Sequence, residues 1–225
     1  MKNRNYSSCK GDSSMVFSFI KQERFDLVDE MIQNNEIDVN AVDVVGNDVV
    51  TRLLKARQYD LVLKLMKKRN WDVNHQNDDG NTFGHILAQD DSVATVLIIE
   101  QLTKKKNYLP NIKNKKGETA LDRAINSNYI CCAFKILEDK RFNSISIFSF
   151  KNLFNVTIKN SLYGKYSKIT NLEIIVDSLE RKELDQNMSE LVQRISDNMD
   201  LIKRDILKHN RVDVIEGIIE QSISF

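Results

Sequence analysis

The sequence predicts an all-helical solenoid of stacked helix-turn-helix units. Three observations carry that expectation: an ungapped internal repeat, an apolar stripe at helical spacing in each copy, and a glycine turn that recurs between copies. Phe25-Asp26-Leu27-Val28 returns as Tyr59-Asp60-Leu61-Val62, Met31-Ile32 as Leu65-Met66, and Ile37-Asp38-Val39-Asn40 as Trp71-Asp72-Val73-Asn74. Val28, Met31 and Ile32, like Val62, Leu65 and Met66, fall at i, i+3 and i+4, one buried face of a helix.

The other half of the unit opens on Gly46-Asn47-Asp48, Gly80-Asn81-Thr82 and Gly117-Glu118-Thr119. The recurring glycine, after a polar residue in Asp79-Gly80 and Lys116-Gly117, predicts a turn with positive φ, and Thr82 and Thr119 are candidate caps for the helix that follows. Leu53-Leu54, Leu87-Ala88 and Ala124-Ile125 then occupy equivalent places, and each unit closes on an extended link ending in Asn40, Asn74 or Asn111.

Composition sets the frame. The 225 residues include 41% apolar and 29% charged residues, enough for a folded core. A net charge of +1 argues against a surface devoted wholly to nucleic acid or anionic membrane. The polar stretch from Met1 to Ser14 has no signal-peptide core, and no apolar run approaches the ~18 residues of a membrane span. Three cysteines make no disulfide framework, so a reducing compartment, cytoplasmic or nuclear, is expected.

The unit resembles the ankyrin repeat, whose consensus places D-x-x-G-x-T-P-L-H-x-A before the first helix and V-x-x-L-L in the second. Asp78-Asp79-Gly80-Asn81-Thr82-Phe83-Gly84-His85 keeps the Gly, Thr and His, and the stretch from Lys115 to Ala124 keeps Gly, Thr, Leu and Ala. Proline is missing from every T-P-L position, Val50 to Arg52 barely resemble the motif, and the link through Lys104-Lys105-Lys106 is three residues longer. The expected organisation is a polar tail over 1–13, about four repeats over 14–143, and helical repeats or a cap over 144–225, continuous with the first part. Echoes of Phe19 to Val28 in Ile206 to Ile215 suggest a degenerate closing repeat. Whether 144–184 is a repeat without its hairpin or a cap stays open. Two helices, over 150–162 and 169–181, are expected around a Tyr163-Gly164-Lys165 turn, with one more over 188–201.

The resemblance implies a non-catalytic module that binds a partner protein through its turn tips and concave helix face. The tips differ: Asp43-Val44-Val45 is partly apolar, Asn77-Asp78-Asp79 acidic, and Lys113-Asn114-Lys115-Lys116 basic. Arg52, Gln89 and Arg123 are expected to face the same groove, and a partner of alternating sign would suit the row. One alternative is a nucleic-acid-associated regulator using the lysines of 104–116. Another is an inhibitor or assembly chaperone working through the C-terminal helices.

No constellation suggests an enzyme. His75, His85 and His209 lie in different units; His85 occupies the histidine place of the motif, which implies a hydrogen-bonding role between turns, and His75 is expected to be exposed. The adjacent Cys131 and Cys132 read as small core hydrophobes, and Trp71, equivalent to Ile37 and Tyr108, as core. Neither a metal-ligand spacing nor a phosphate-binding glycine loop is present, so no cofactor, metal or small-molecule substrate is expected.

Overall fold

The computed structural model describes residues 13–90, 92–142, 149–150, 152–153, 165–180 and 186–209. Four helix pairs follow one another: α1 (Ser13–Lys21) with α2 (Phe25–Gln33), α3 (Val49–Lys55) with α4 (Tyr59–Met66), α5 (Phe83–Leu87) with α6 (Val93–Thr103), and α7 (Ala120–Asn126) with α8 (Ile130–Leu137). First helices pack on first helices (α1, α3, α5, α7) and second on second (α2, α4, α6, α8). The apolar stripes therefore merge into one long core, which a single short pair could not bury alone. Val28, Val62 and Leu65 are fully buried in it, with Ile98 and Ile136 at the corresponding places further along.

Inside three pairs the turn passes through one residue at positive φ: Glu23, Arg57 and Asn128. The α5–α6 pair does it differently. Ser92 caps α6 by accepting from the Thr95 N–H, and Asp90 accepts from the Ser92 N–H at 3.1 Å. α6 also runs to 11 residues against 8 in α4 and α8. The added length expected in the link after this pair is thus partly helix, with Lys104 as its C-cap. Arg141 secures what remains by donating to the carbonyls of Thr103 (2.6 Å), Lys105 (2.7 Å) and Tyr108 (3.0 Å).

The links between pairs are clamped by the asparagines that end them. Asn40 donates to the Asn70 carbonyl and Asn74 to the Asn107 carbonyl, each at 2.7 Å, and Asn111 donates to the Arg141 carbonyl at 2.9 Å. Asn40 and Asn74 also accept, through Oδ1, from the N–H of Asp72 and Leu109. Trp71, Tyr108 and Phe142 follow the clamped residues by one position and are all buried. The repeat register therefore continues to Phe142. Trp71 is core, as expected: its indole N–H donates to Asp48 at 2.8 Å, and its ring meets Phe83 edge-on at 5.2 Å. Gly84 stands where the motif has leucine because the Tyr108 hydroxyl occupies that space; a Cβ there would lie 2.9 Å from it.

Three further helices follow: α9 (Lys165–Glu180), α10 (Gln186–Asp197) and α11 (Met199–His209). α9 packs on α8, and α10 and α11 pack on α9 and on each other, burying Leu172, Ile175, Leu191, Ile195 and Ile202. The single helix expected over 188–201 is two helices. Asn198 breaks it, its side chain turning back to donate to the Arg194 carbonyl at 2.8 Å. Of the helix expected before Tyr163, residues 150, 152 and 153 are helical, with Phe150 and Leu153 buried; the rest of it and the closing echo beyond His209 lie outside the described residues.

Candidate binding surface

Each of the three tips is a closed turn built to one plan. Gly46, Gly80 and Gly117 have φ of 73°, 75° and 77°, and their N–H groups donate to the carbonyls of Asp43, Asn77 and Asn114. The first residue of each turn spends its side chain on the turn itself. Asp43 Oδ1 accepts from the N–H groups of Val45 and Asn47, Asn77 Oδ1 from Asp79 and Asn81, and Asn114 Oδ1 from Lys116 and Glu118, at 2.9–3.0 Å. Asp43 Oδ2 further pairs with Arg52 Nε at 3.1 Å, leaving its side chain 9% exposed.

The tips also hold one another. The Asp78 N–H donates to the Val45 carbonyl and the Lys115 N–H to the Asp79 carbonyl, at 3.2 and 3.0 Å. Beneath them, the Asn77 amide donates to Asn47 Oδ1 at 2.9 Å, and the Asn114 amide to Asn81 Oδ1 at 3.0 Å. Asn47, Asn81 and Asn114 are buried, and these hydrogen bonds offset the desolvation cost. His75 belongs to this framework too. It is half-buried, not exposed as expected, with Nε2 2.7 Å from the Gly46 carbonyl.

His85 joins two units as its place in the motif implied. Nδ1 accepts from the Thr82 N–H at 3.1 Å, so Nε2 carries the proton and donates to the Glu118 carbonyl at 2.9 Å. Burial, aided by repulsion from Arg123, holds its pKa below the usual 6.5 and favours this neutral form.

The predicted partner-facing residues therefore divide. Asp43, Asn77 and the buried Asn114 are internal struts. Val44, Val45, Asp78, Asp79, Lys113, Lys115 and Lys116 are exposed, Val44 at 98%, and no described hydrogen bond or ion pair uses their side chains. The row is apolar, then acidic, then basic.

The inner helices supply the floor. Counting from the caps Asp48, Thr82 and Thr119, equivalent positions hold Arg52, Ile86 and Arg123, and one turn later Lys55, Gln89 and Asn126. Gln89 thus pairs in register with Lys55, a residue overlooked when Arg52, Gln89 and Arg123 are grouped by eye; alignment on the caps would have found it. Lys55 Nζ donates to Asn47 Oδ1 and Arg123 Nη1 to Asn81 Oδ1, each at 3.1 Å.

The lysines of 104–116 are not one free patch. Lys104 pairs with Glu100 at 2.7 Å, and Lys105 lies 5.4 Å above the Trp71 ring; only Lys113, Lys115 and Lys116 stand at a tip. Cys132 is buried, its thiol 3.2 Å from the Asp90 carbonyl, whereas Cys131 is exposed, contrary to the expectation that both pack. Among the described residues, no group of His, Cys, Asp or Glu could hold a metal, and no helix is long and apolar enough to cross a membrane.

This arrangement of helix pairs is similar to that of a known crystal structure. The chain matches EF0377, an ankyrin repeat protein, with a TM-score of 0.59 over 88% of this chain and 98% of that one, at 16% identity. The fold is the ankyrin-repeat fold. No protein-family model and no curated protein matches the sequence. The fold forms here with residues that depart from the ankyrin consensus: Asp48 caps where the motif has threonine, and Tyr108 fills the leucine space above Gly84.

Proposed function

We propose that the array is a non-catalytic protein-recognition module that docks a partner along its three tips and the inner-helix floor. One observation carries the reading: the outer tip side chains take no part in holding the fold, yet they form an ordered apolar, acidic and basic row on rigid turns. Rigid presentation lowers the ordering cost of association. A partner with basic groups opposite Asp78 and Asp79 and acidic groups opposite Lys115 and Lys116 would complement it.

Affinity capture from cell extract followed by mass spectrometry tests this. The full chain should retain a protein that the Asp78→Lys/Asp79→Lys and Lys115→Glu/Lys116→Glu variants lose, with melting temperatures unchanged. Equal retention by both variants would remove the tips from the interface. The engagement of Lys104 and Lys105 favours this reading over nucleic-acid binding through the lysine-rich stretch.

A further inference from the structure

The floor beneath the tips carries two cations, Lys55 and Arg123, that make no direct ion pair among the described residues. Arg52 is answered by Asp43. Lys55 and Arg123 make their hydrogen bonds to neutral amide oxygens, those of Asn47 and Asn81, while Asp43 and Asp79 attract Lys55, and Glu118 attracts Arg123, through space. Each uses one N–H there; a lysine has three and an arginine five, so most of their donors enter no described hydrogen bond.

The two sites are built alike. Each buried asparagine oxygen takes one bond from the next tip's asparagine and one from the cation, which fixes the cation's position against the rigid turn. Between them the floor is uncharged, with Ile86 and Gln89 at the equivalent positions of α5. Lys55 lies within electrostatic reach of Arg123. Partial burial and repulsion from Arg52 and Arg123 outweigh the attraction of Asp43 and Asp79, and lower its pKa.

We infer that Lys55 and Arg123 form a seat for an acidic side chain of an extended peptide lying between the tips and the inner helices. This rests on the protein-recognition reading and names the chemistry that the groove floor selects. A carboxylate offers up to four acceptor sites and can take charge-assisted bonds from both cations, an arrangement a peptide carbonyl cannot match. A polyphosphate backbone suits the groove less well, because Asp78 and Asp79 stand exposed on the tip between the two cations. The groove fits one acid flanked by uncharged or basic residues.

A random peptide library displayed on phage, selected against the full chain, tests the seat. Retained peptides should share an acidic residue. Lys55→Gln and Arg123→Gln should each weaken a chosen peptide about tenfold or more, while Lys55→Arg retains affinity, all with unchanged melting. Peptides without a common acid overturn the seat. So does undiminished binding to the Lys55→Gln/Arg123→Gln double variant; if the tip reversals still abolish that binding, the protein-recognition reading survives. Failure to retain any peptide counts against both. Tight binding of a single-stranded oligonucleotide, lost in Lys55→Gln, would assign the cations to phosphate instead.

Discussion

Asn114 and Lys115 are neighbours in one turn, and they are used in opposite ways. The asparagine is buried and directs every polar atom of its side chain into the array, whereas the lysine is exposed and lends the array only its backbone N–H. The same contrast separates Asn77 from Asp78 and Asp79, and Asp43 from Val44 and Val45. Position within the turn, not polarity, decides whether a side chain holds the fold or meets a partner. Reading a tip as a block of charged residues hides this.

Substitutions sharpen the comparison in descending order of effect. Gly80→Ala should destabilise most, by about 3 kcal/mol or more. It combines a φ of 75° with a Cβ placed 2.8 Å from the Lys115 backbone nitrogen. Gly117→Ala should cost only about 1–2 kcal/mol, because its φ is similar but no described atom lies within 4 Å. Equal losses in urea denaturation would mean that the tips do not stack. Arg141→Ala should cost about 2 kcal/mol by freeing the carbonyls of the 103–108 link, and hydrogen exchange in that link should speed up. Asn74→Ala, which removes a clamp on a partly exposed link, should cost about 1 kcal/mol in the same denaturation assay.

The smallest effect is a pH dependence. Because His85 has a lowered pKa in the fold, its contribution is fully present above about pH 6.5, the unfolded value. It is lost as pH falls through the lower folded value. Stability measured across that window should decline toward acid, and His85→Gln should flatten this part of the profile.

Much of this framework was legible in the sequence because periodicity and glycine turns are local signals. The stripes of α2 and α4, the positive φ at Gly46, Gly80 and Gly117, and the core place of Trp71 could all be read there. The use of each tip residue could not. Asp43, Asn77 and Asn114 look like surface groups until the backbone N–H groups they satisfy are seen, and His75 looks like a free link residue until Gly46 is beside it. Arg141 closes the lysine-rich link from more than thirty positions away, a pairing that no local pattern encodes. The break at Asn198 was missed because the apolar periodicity runs through it.

Equilibrium unfolding of Asn114→Ala beside Lys115→Glu/Lys116→Glu tests the division within the turn most directly. The alanine variant should lose about 2 kcal/mol or more, because it removes the turn's own acceptor and leaves Asn81 short of a partner. The charge-reversed variant should stay within about 0.5 kcal/mol of the parent chain. Comparable losses in the two, or a larger one from the lysines, would contradict the account.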